Sequence, residues 1–162
     1  MKKILSIVTA LAISASASQG SKYVSLGATS VDADIFGTGL VYSLNLGGKK
    51  VFDNNVFLGA DLLFEYGSLE KNSQTIDAVG YGGNINLGYQ YKDLGVFVLG
   101  SALLESIDNI STAGFGFGGG IEYTPWEHVG FGVKYVQYSM TTELVGVDYD
   151  RSGVKGYINF LY

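Results

Sequence analysis

Residues 113–123 alternate between apolar side chains and small or polar ones. The apolar set is Ala113, Phe115, Phe117, Ile121 and Tyr123, and the other set is Gly114, Gly116, Gly118, Gly120 and Glu122. Successive side chains of a strand point to opposite faces, so this segment predicts a strand with one apolar face and one glycine-lined face. Glycine and carboxylate fit a narrow barrel interior better than alternating phenylalanines do. We therefore predict that the apolar face points outward, as in a membrane-spanning barrel.

The same period of two residues recurs in eight segments. They cover residues 22–29, 36–47, 55–66, 76–91, 94–105, 113–123, 129–140 and 149–162. The fifth segment is apolar at both parities, and we orient it by Ser101 and Glu105, which places its odd positions inside. A tilted strand needs about 9 to 11 residues to cross a bilayer, and an even number of antiparallel strands closes without an open edge. The sequence thus predicts an all-β fold, an eight-stranded antiparallel up-and-down transmembrane β-barrel.

The connections between these strands are short. Residues 47–54, 92–93 and 125–128 are expected at the end of the barrel that holds both chain ends. The opposite end is expected to carry residues 30–35, 67–74, 106–111 and 141–147. Pro125 is the only proline, and we place it in a turn because it cannot donate to a strand ladder. Connections of this length leave little material for a large surface structure.

The start of the chain has the pattern of a secretory signal peptide. A basic start precedes an apolar stretch at residues 4–13, and small residues follow it. The apolar stretch is too short to span a bilayer as a helix. We expect residues 1–18 to be cleaved, which leaves residues 19–162 as one barrel domain.

Composition narrows the range of partners. Without the two lysines of the signal peptide, eight basic residues remain against fifteen acidic ones, a net charge of −7. Duplex nucleic acid carries dense negative charge and is therefore not an expected partner. The chain has no cysteine, which excludes disulfides and thiolate metal sites and is compatible with export to an oxidising compartment.

Charged residues share the inward parity of the predicted strands. They are Asp61, Glu65, Glu105, Glu122, Lys134, Arg151 and Lys155. A shift of the seventh strand by one residue would put Lys134 against hydrocarbon, at a cost of about 2 to 4 kcal/mol near the midplane. The third and seventh strands of such a barrel face each other, so Asp61 and Glu65 are expected to face Lys134, with Lys155 beside it. The interior is only just wide enough for side chains, so we expect these ions to pair and fill the lumen. The alternative is a path for ions or protons.

Aromatic residues gather near the predicted membrane boundaries. On the side of the chain ends they are Tyr91, Tyr123, Trp126 and Tyr162, and on the opposite side Phe36, Tyr66 and Tyr149. Rings with an apolar body and a polar edge are typical of the interfacial belts of membrane proteins. We expect these seven residues to form such belts. Strand alternation alone does not distinguish lipid from a second sheet, so a soluble ligand-binding barrel with core aromatics is the rival interpretation.

No residue pattern predicts a catalytic, metal or cofactor site. His128, the only histidine, is expected in an exposed turn without partners for catalysis or metal ligation. The glycines within residues 114–119 match a dinucleotide fingerprint, but they lie inside a strand instead of opening a helix. The Asp-x-Asp pairs at residues 32–34 and 148–150 lack the other ligands and the turn glycine of a calcium loop. We expect a protein that is not an enzyme and carries no cofactor.

The last nine residues carry a resemblance to a known family. Residues 154–162 alternate apolar side chains and end on an aromatic one, with Ile158, Phe160 and Tyr162 on one parity. This pattern resembles the terminal assembly signal of bacterial outer-membrane barrels. Together with the signal peptide and the eight strands, the chain is similar to small OmpA/OmpX-type, porin-like outer-membrane proteins of Gram-negative bacteria.

The resemblance implies location, partners and a choice of roles. It implies residence in the outer membrane of the cell envelope, contact with lipid and lipopolysaccharide, and biogenesis through periplasmic chaperones and the barrel assembly machinery. Family members include adhesins, structural anchors and lipid-modifying enzymes, so the resemblance implies no single activity. We expect a monomer with a structural or surface-interaction role. A narrow porin and a lipid-modifying enzyme are the alternatives.

Overall fold

The computed structural model describes residues 20–108, 110–142 and 146–162, and the predicted signal peptide lies outside them. The eight strands are β1 (Ser21–Ala33), β2 (Gly37–Val51), β3 (Val56–Lys71), β4 (Gln74–Tyr91), β5 (Leu94–Ile107), β6 (Ile110–Trp126), β7 (Val129–Thr142) and β8 (Asp148–Leu161). They form a closed barrel in chain order, and every neighbouring pair is antiparallel. The predicted fold class is confirmed.

The barrel closes where its first and last strands meet. Tyr23 pairs with Leu161 and Ala33 with Arg151, so β1 and β8 are joined along most of their length. Two backbone hydrogen bonds between Lys22 and Tyr162, of 3.1 and 3.0 Å, continue this seam beyond the strands. Closure leaves no edge strand with unpaired backbone groups. Among the described residues, no helix is long and apolar enough to cross a membrane.

We call the end of the barrel where β1 begins and β8 ends the inner end, and the opposite end the outer end. The strands run further toward the outer end than the sequence predicts. The segment 67–74, expected as a connection, is instead the tip of the β3–β4 hairpin, which turns at Asn72 and Ser73. Both residues have positive φ, 51° and 63°, as the tight turns favoured in hairpins require. The strands themselves therefore form the outer rim.

The predicted turn at Pro125 is wrong in its position. Pro125 lies inside β6, where the pairing with β7 shifts between Tyr123 and Trp126. A bulge leaves a residue out of the ladder, so a proline at this point removes no hydrogen bond from the sheet. The connection to β7 is confined to residues 127–128.

The apolar and polar faces of the strands change places near the outer end. Along most of β3 the outward side chains are apolar, including Leu58 and Phe64, and the inward Asp61 and Glu65 are buried. At the outer end of the same strand Leu69 is buried inside and Glu70 is exposed outside. The same change occurs on β1, β7 and β8.

Four names describe this arrangement. The apolar wall is the outward face of the strands between the inner end and the level at which the two faces change places. The polar lumen is the inward face over the same height. The apolar plug is the inward set at the outer end, namely Val31, Ala33, Phe36, Leu69, Ile107, Met140 and Tyr149. The collar is the exposed outward set around it, namely Ser30, Asp32, Glu70, Asp77, Ser106, Ser139, Thr141, Asp148 and Asp150.

Candidate functional site in the barrel lumen

All seven charged residues predicted to face inward are buried in the lumen. None exposes more than 9% of its surface, and Arg151 exposes only 2%. The odd positions of β5 face inward, as Ser101 and Glu105 predict. The side of the sheet on which these residues lie follows from strand parity, whereas their partners depend on the register between strands distant in the chain.

Arg151 is the centre of an ion cluster just beneath the apolar plug. Its guanidinium nitrogen Nη2 donates to Glu65 Oε2 at 2.8 Å, and its Nε lies 3.4 Å from Glu105 Oε2. The guanidinium also lies 5.3 Å from the centre of the Tyr138 ring. These contacts connect β8 with β3, β5 and β7 across the lumen. A charged group so deeply buried is stable only with such partners, so this cluster fixes the relative position of the strands.

Asp61 is held by neutral donors, not by the predicted lysine. The Tyr23 hydroxyl donates to it at 2.9 Å, and the side-chain amides of Asn84 and Asn86 donate at 2.6 and 3.2 Å. Asn45 Nδ2 is a fourth donor. Within the described part of the chain, no lysine or arginine nitrogen lies within 4.0 Å of Asp61, so the expected direct ion pair with Lys134 is wrong. Four donated hydrogen bonds satisfy the carboxylate in place of a countercharge.

Lys134 and Lys155 lie side by side as cross-strand partners on β7 and β8. Lys155 donates to Asn45 Oδ1 at 2.6 Å, and the amide of Asn45 in turn donates to Asp61, so one asparagine bridges the two charges. Lys134 Nζ lies 5.8 Å from the centre of the Tyr157 ring. Neither lysine has a carboxylate oxygen within 4.0 Å among residues 20–108, 110–142 and 146–162. Like charges directly opposite each other are destabilising, which makes this the weakest part of the network.

Glu122 pairs with a lysine that the sequence analysis missed. Lys49 Nζ lies 2.6 Å from Glu122 Oε1, and Asn159 donates to Glu122 Oε2 at 2.6 Å. Lys49 also donates to Gln90 at 3.2 Å. Lys49 was hidden because residues 47–54 were expected as a turn, although its odd number matches the inward parity of Asn45 and Gly47. It lies on β2, which extends to Val51.

Small cavities remain between these groups. One of about 40 Å³ lies in the inner half of the lumen and is lined by Ser25, Asp61, Glu122 and Lys134, among others. A second of about 20 Å³ lies nearer Arg151, and Lys134 borders both. Inward glycines make room for the large side chains, as at Gly132, where a Cβ would collide with the Tyr157 ring. Volumes of this size suit a few water molecules and no larger solute.

The outer belt prediction is wrong for Phe36 and Tyr149. They expose only 8% and 5% of their surface and pack edge to face in the apolar plug, with ring centres 5.2 Å apart. Tyr149 has the inward parity of Arg151, and Phe36 precedes β2 in a turn where strand parity does not apply. Of the outer set, Tyr66 alone is on the outside, 62% exposed.

The other belt and terminal residues lie on the apolar wall. Tyr91, Tyr123, Trp126 and Tyr162 are exposed by 51 to 72%, and Ile158 and Phe160 by 39 and 45%. Large apolar side chains are exposed on every strand, up to 75% at Phe117. Water-soluble monomers rarely expose contiguous apolar patches larger than about 600 Å². A wall apolar all the way around the barrel requires an apolar environment.

The described residues contain no cluster of three or more metal-ligating side chains. His128 is exposed at the inner end, between β6 and β7, away from the buried charges. The Asp-x-Asp pairs at residues 32–34 and 148–150 lie at the outer rim. The buried polar and charged side chains are therefore concentrated in the lumen, where they bind one another.

The fold is similar to those of three solved outer-membrane barrels. Neisserial surface protein A matches with a TM-score of 0.63 and 11% identity, over 88% of this chain and 97% of that one. The N-terminal β-barrel domain of Pseudomonas aeruginosa OprF matches with a TM-score of 0.56 and 15% identity, over 88% and 100%. The outer membrane enzyme PagL matches with a TM-score of 0.57 and 11% identity, over 84% and 98%.

No protein-family model matches the chain, and no curated protein sequence matches it significantly. At such low identities the three structures establish the eight-stranded barrel fold, and the residues of this chain must supply the argument for its role.

Proposed function

We propose that the protein is an integral outer-membrane β-barrel with a structural or surface-interaction role and no catalytic activity. The observation that carries this proposal is the pairing of an apolar wall with a lumen closed by the Arg151 cluster and the apolar plug. The wall requires hydrocarbon, and the filled lumen leaves no path for solutes. The fold similarity to three outer-membrane proteins supports the same location.

The height of the apolar wall fits a membrane. On β3 its outward residues run from Val56 to Tyr66. At a rise of about 3.3 Å per residue and a tilt of about 40°, this stretch spans about 25 Å, the height of the apolar band of outer-membrane barrels. The collar then lies above the lipid tails, at the level of headgroups and lipopolysaccharide sugars. These lipids are the partners that the outward surface favours.

Membrane fractionation tests the location. The protein, expressed with its first eighteen residues in a Gram-negative host, should appear in the outer-membrane fraction, resist extraction with urea, and migrate faster on gels when unheated than when boiled. Removal of Tyr162 should reduce the amount inserted if residues 158–162 form the assembly signal read by the barrel assembly machinery. A monodisperse protein in the soluble periplasmic fraction would refute the proposal.

A narrow porin is the second candidate. Two observations favour it: Lys134 and Lys155 have no adjacent carboxylate in the described residues, and Lys134 borders both cavities. The apolar plug argues against it, because an ion would have to cross buried Leu69, Ile107 and Met140. Planar-bilayer recording decides between the two. Reproducible channels of one conductance from the purified protein would establish the porin.

A lipid-modifying enzyme is a third, less favoured candidate, suggested by the likeness to an outer membrane enzyme. Hydrolysis by a serine nucleophile needs a general base within hydrogen-bond reach, most often a histidine. His128, the sole histidine, is exposed at the inner end, far from the collar where lipid headgroups of the outer leaflet would lie. Unchanged lipid A after overexpression is the expected result, and a new lipid A species would establish an activity.

A further inference from the structure

We propose that the inner half of the lumen is a water-binding chamber that exchanges with the inner end of the barrel alone, and that the Lys49–Glu122 ion pair closes its mouth. The chamber is the cavity of about 40 Å³ described above. The inference depends on the barrel fold. Where the proposed function is right, the inner end lies in the periplasm.

Unsatisfied polar atoms line the chamber. Asn86 Oδ1 and Asn159 Oδ1 are fully buried, border it, and accept no hydrogen bond from any described residue. Thr29 Oγ1, which borders the smaller cavity, is also buried and has no hydrogen-bond partner among the described residues. A buried carbonyl oxygen without a donor is costly, and bound water is the usual donor at a polar cavity of sufficient size. At about 10 to 15 Å³ for each water centre, the chamber has room for about three molecules.

The outer end of the lumen is sealed against water. The inward polar groups at the level of the plug bind one another or the backbone: the Tyr149 hydroxyl donates to Thr112 Oγ1 at 3.1 Å, and Thr142 Oγ1 donates to the Val147 carbonyl at 3.3 Å. Leu69, Ile107, Met140 and Ala33 each expose 1% of their surface or less. The Arg151 cluster lies between the plug and the chamber and ties three strands together. Exchange through this end would require both layers to open.

In the described part of the barrel, one ion pair crosses the inner end, beside the rings of Phe57 and Phe97. Lys49 and Glu122 lie on β2 and β6, four strands apart in a closed barrel of eight, so their contact spans the mouth from opposite walls. Each side chain is 11% exposed, more than the ions deeper in the lumen. The Lys49 ammonium group lies over the Phe57 ring, with Nζ 5.0 Å from the ring centre. Rotation of two flexible side chains opens this mouth without any change in the backbone.

Single-cysteine variants test the inference directly, because the natural chain has no cysteine. Ser25→Cys places a thiol on the chamber wall, and Val31→Cys places one in the plug on the same face of β1. Each variant in lipid nanodiscs is treated with hydrogen peroxide, a probe close to water in size. The remaining thiol is counted by maleimide labelling after denaturation. A faster gel mobility without boiling confirms that each variant is folded.

The chamber thiol should be oxidised about tenfold faster than the plug thiol. Lys49→Ala should raise the rate at Ser25→Cys by about a further tenfold, the order expected for loss of a hydrogen bond between charged groups, without changing the rate at Val31→Cys. Lys49→Arg should keep the slow rate, and the exchanged pair Lys49→Glu with Glu122→Lys should restore it. Glu122→Gln replaces Lys49→Ala if that variant does not fold.

Two results would overturn the inference. If Leu69→Ala in the plug accelerates Ser25→Cys and Lys49→Ala does not, entry is from the outer end. If Ser25→Cys reacts as slowly as Val31→Cys even with Lys49→Ala, the chamber is dry. Both outcomes are independent of membrane fractionation and bilayer recording, so they leave the proposed function to its own tests.

Discussion

The outer end of this barrel and the part below it place apolar and polar side chains on opposite faces of the strands. At the outer end the strands are apolar inside and polar outside, as in a water-soluble barrel, with Leu69 buried and Glu70 exposed. Below it the same strands are polar inside and apolar outside, with Asp61 buried and Phe64 exposed. Side chains alternate between the two faces along the whole length of a strand. Because the alternation itself does not change, we attribute the switch of apolar residues from the outward to the inward face to a change in what surrounds the barrel at that height. Under the proposed function, the level at which it occurs marks where hydrocarbon gives way to water.

The contents of the two halves differ in what holds them together. The plug is stabilised by apolar packing, which is non-directional and tolerates no water. The polar lumen is stabilised by hydrogen bonds and ion pairs, which are directional and leave gaps. The following four predictions test this difference by free energies of unfolding in urea from lipid vesicles, followed by the fluorescence of the single tryptophan, Trp126.

The largest effect is expected at the junction of the two halves. Arg151→Met leaves Glu65 and Glu105 buried without their cation, and removal of one partner from such a cluster costs about 3–5 kcal/mol. The control is Arg151→Met combined with Glu65→Gln and Glu105→Gln, which should recover most of the loss. A cost below about 1 kcal/mol for the single variant would contradict a structural role for the cluster.

Packing in the plug comes next. Leu69→Ala removes a fully buried side chain and should cost about 2–5 kcal/mol, with the value set by how far the cavity collapses. The matched variant in the polar lumen is Ser25→Ala, which removes one small polar group from a cavity wall and should change stability by less than about 1 kcal/mol. Equal costs would show that the plug is not tightly packed.

The outward face gives the third prediction. Leu62→Arg places a charge near the middle of the apolar wall of β3 and should cost about 2–4 kcal/mol, the penalty near the bilayer midplane. Glu70→Arg places the same charge on the collar of the same strand, where the change should stay within about 0.5 kcal/mol. Similar costs at the two positions would mean that no membrane boundary lies between them.

The smallest effect is expected at the paired lysines. Lys134→Met removes like-charge repulsion with Lys155 and breaks no ion pair, so stability should change by less than about 1 kcal/mol or increase. Lys155→Met is the matched control, because it deprives Asn45 of a donor and should cost about 1–3 kcal/mol. A large loss at Lys134 would indicate that it is the countercharge of Asp61 after all.

Strand parity made the fold and the inward charges predictable, because a period of two fixes the face of every residue once one face is known. Parity contains no information on height, so the plug was missed. Phe36 lies in a turn where parity does not apply, whereas the inward parity of Tyr149 already argued against its place in the outer belt. Partners across the lumen depend on register between strands far apart in the chain. The sequence therefore did not predict the amide donors of Asp61 or the ion pair between Glu122 and Lys49, which only the structure shows. Lys49 and Tyr149 could both have been assigned to the interior from the sequence, through their parity.

Under the proposed function, the outward face of β3 contacts lipid in the apolar wall and water in the collar. A measurement of lipid contact along β3 tests this difference most directly. The measurement is fluorescence quenching by lipids brominated along their acyl chains, with Trp126→Phe as background and one new tryptophan at Phe64→Trp or Glu70→Trp. We predict strong quenching at position 64 and weak quenching at position 70, since hydrocarbon surrounds only the wall. Equal quenching at both positions, or none at position 64, would contradict a membrane boundary between the two halves of the barrel.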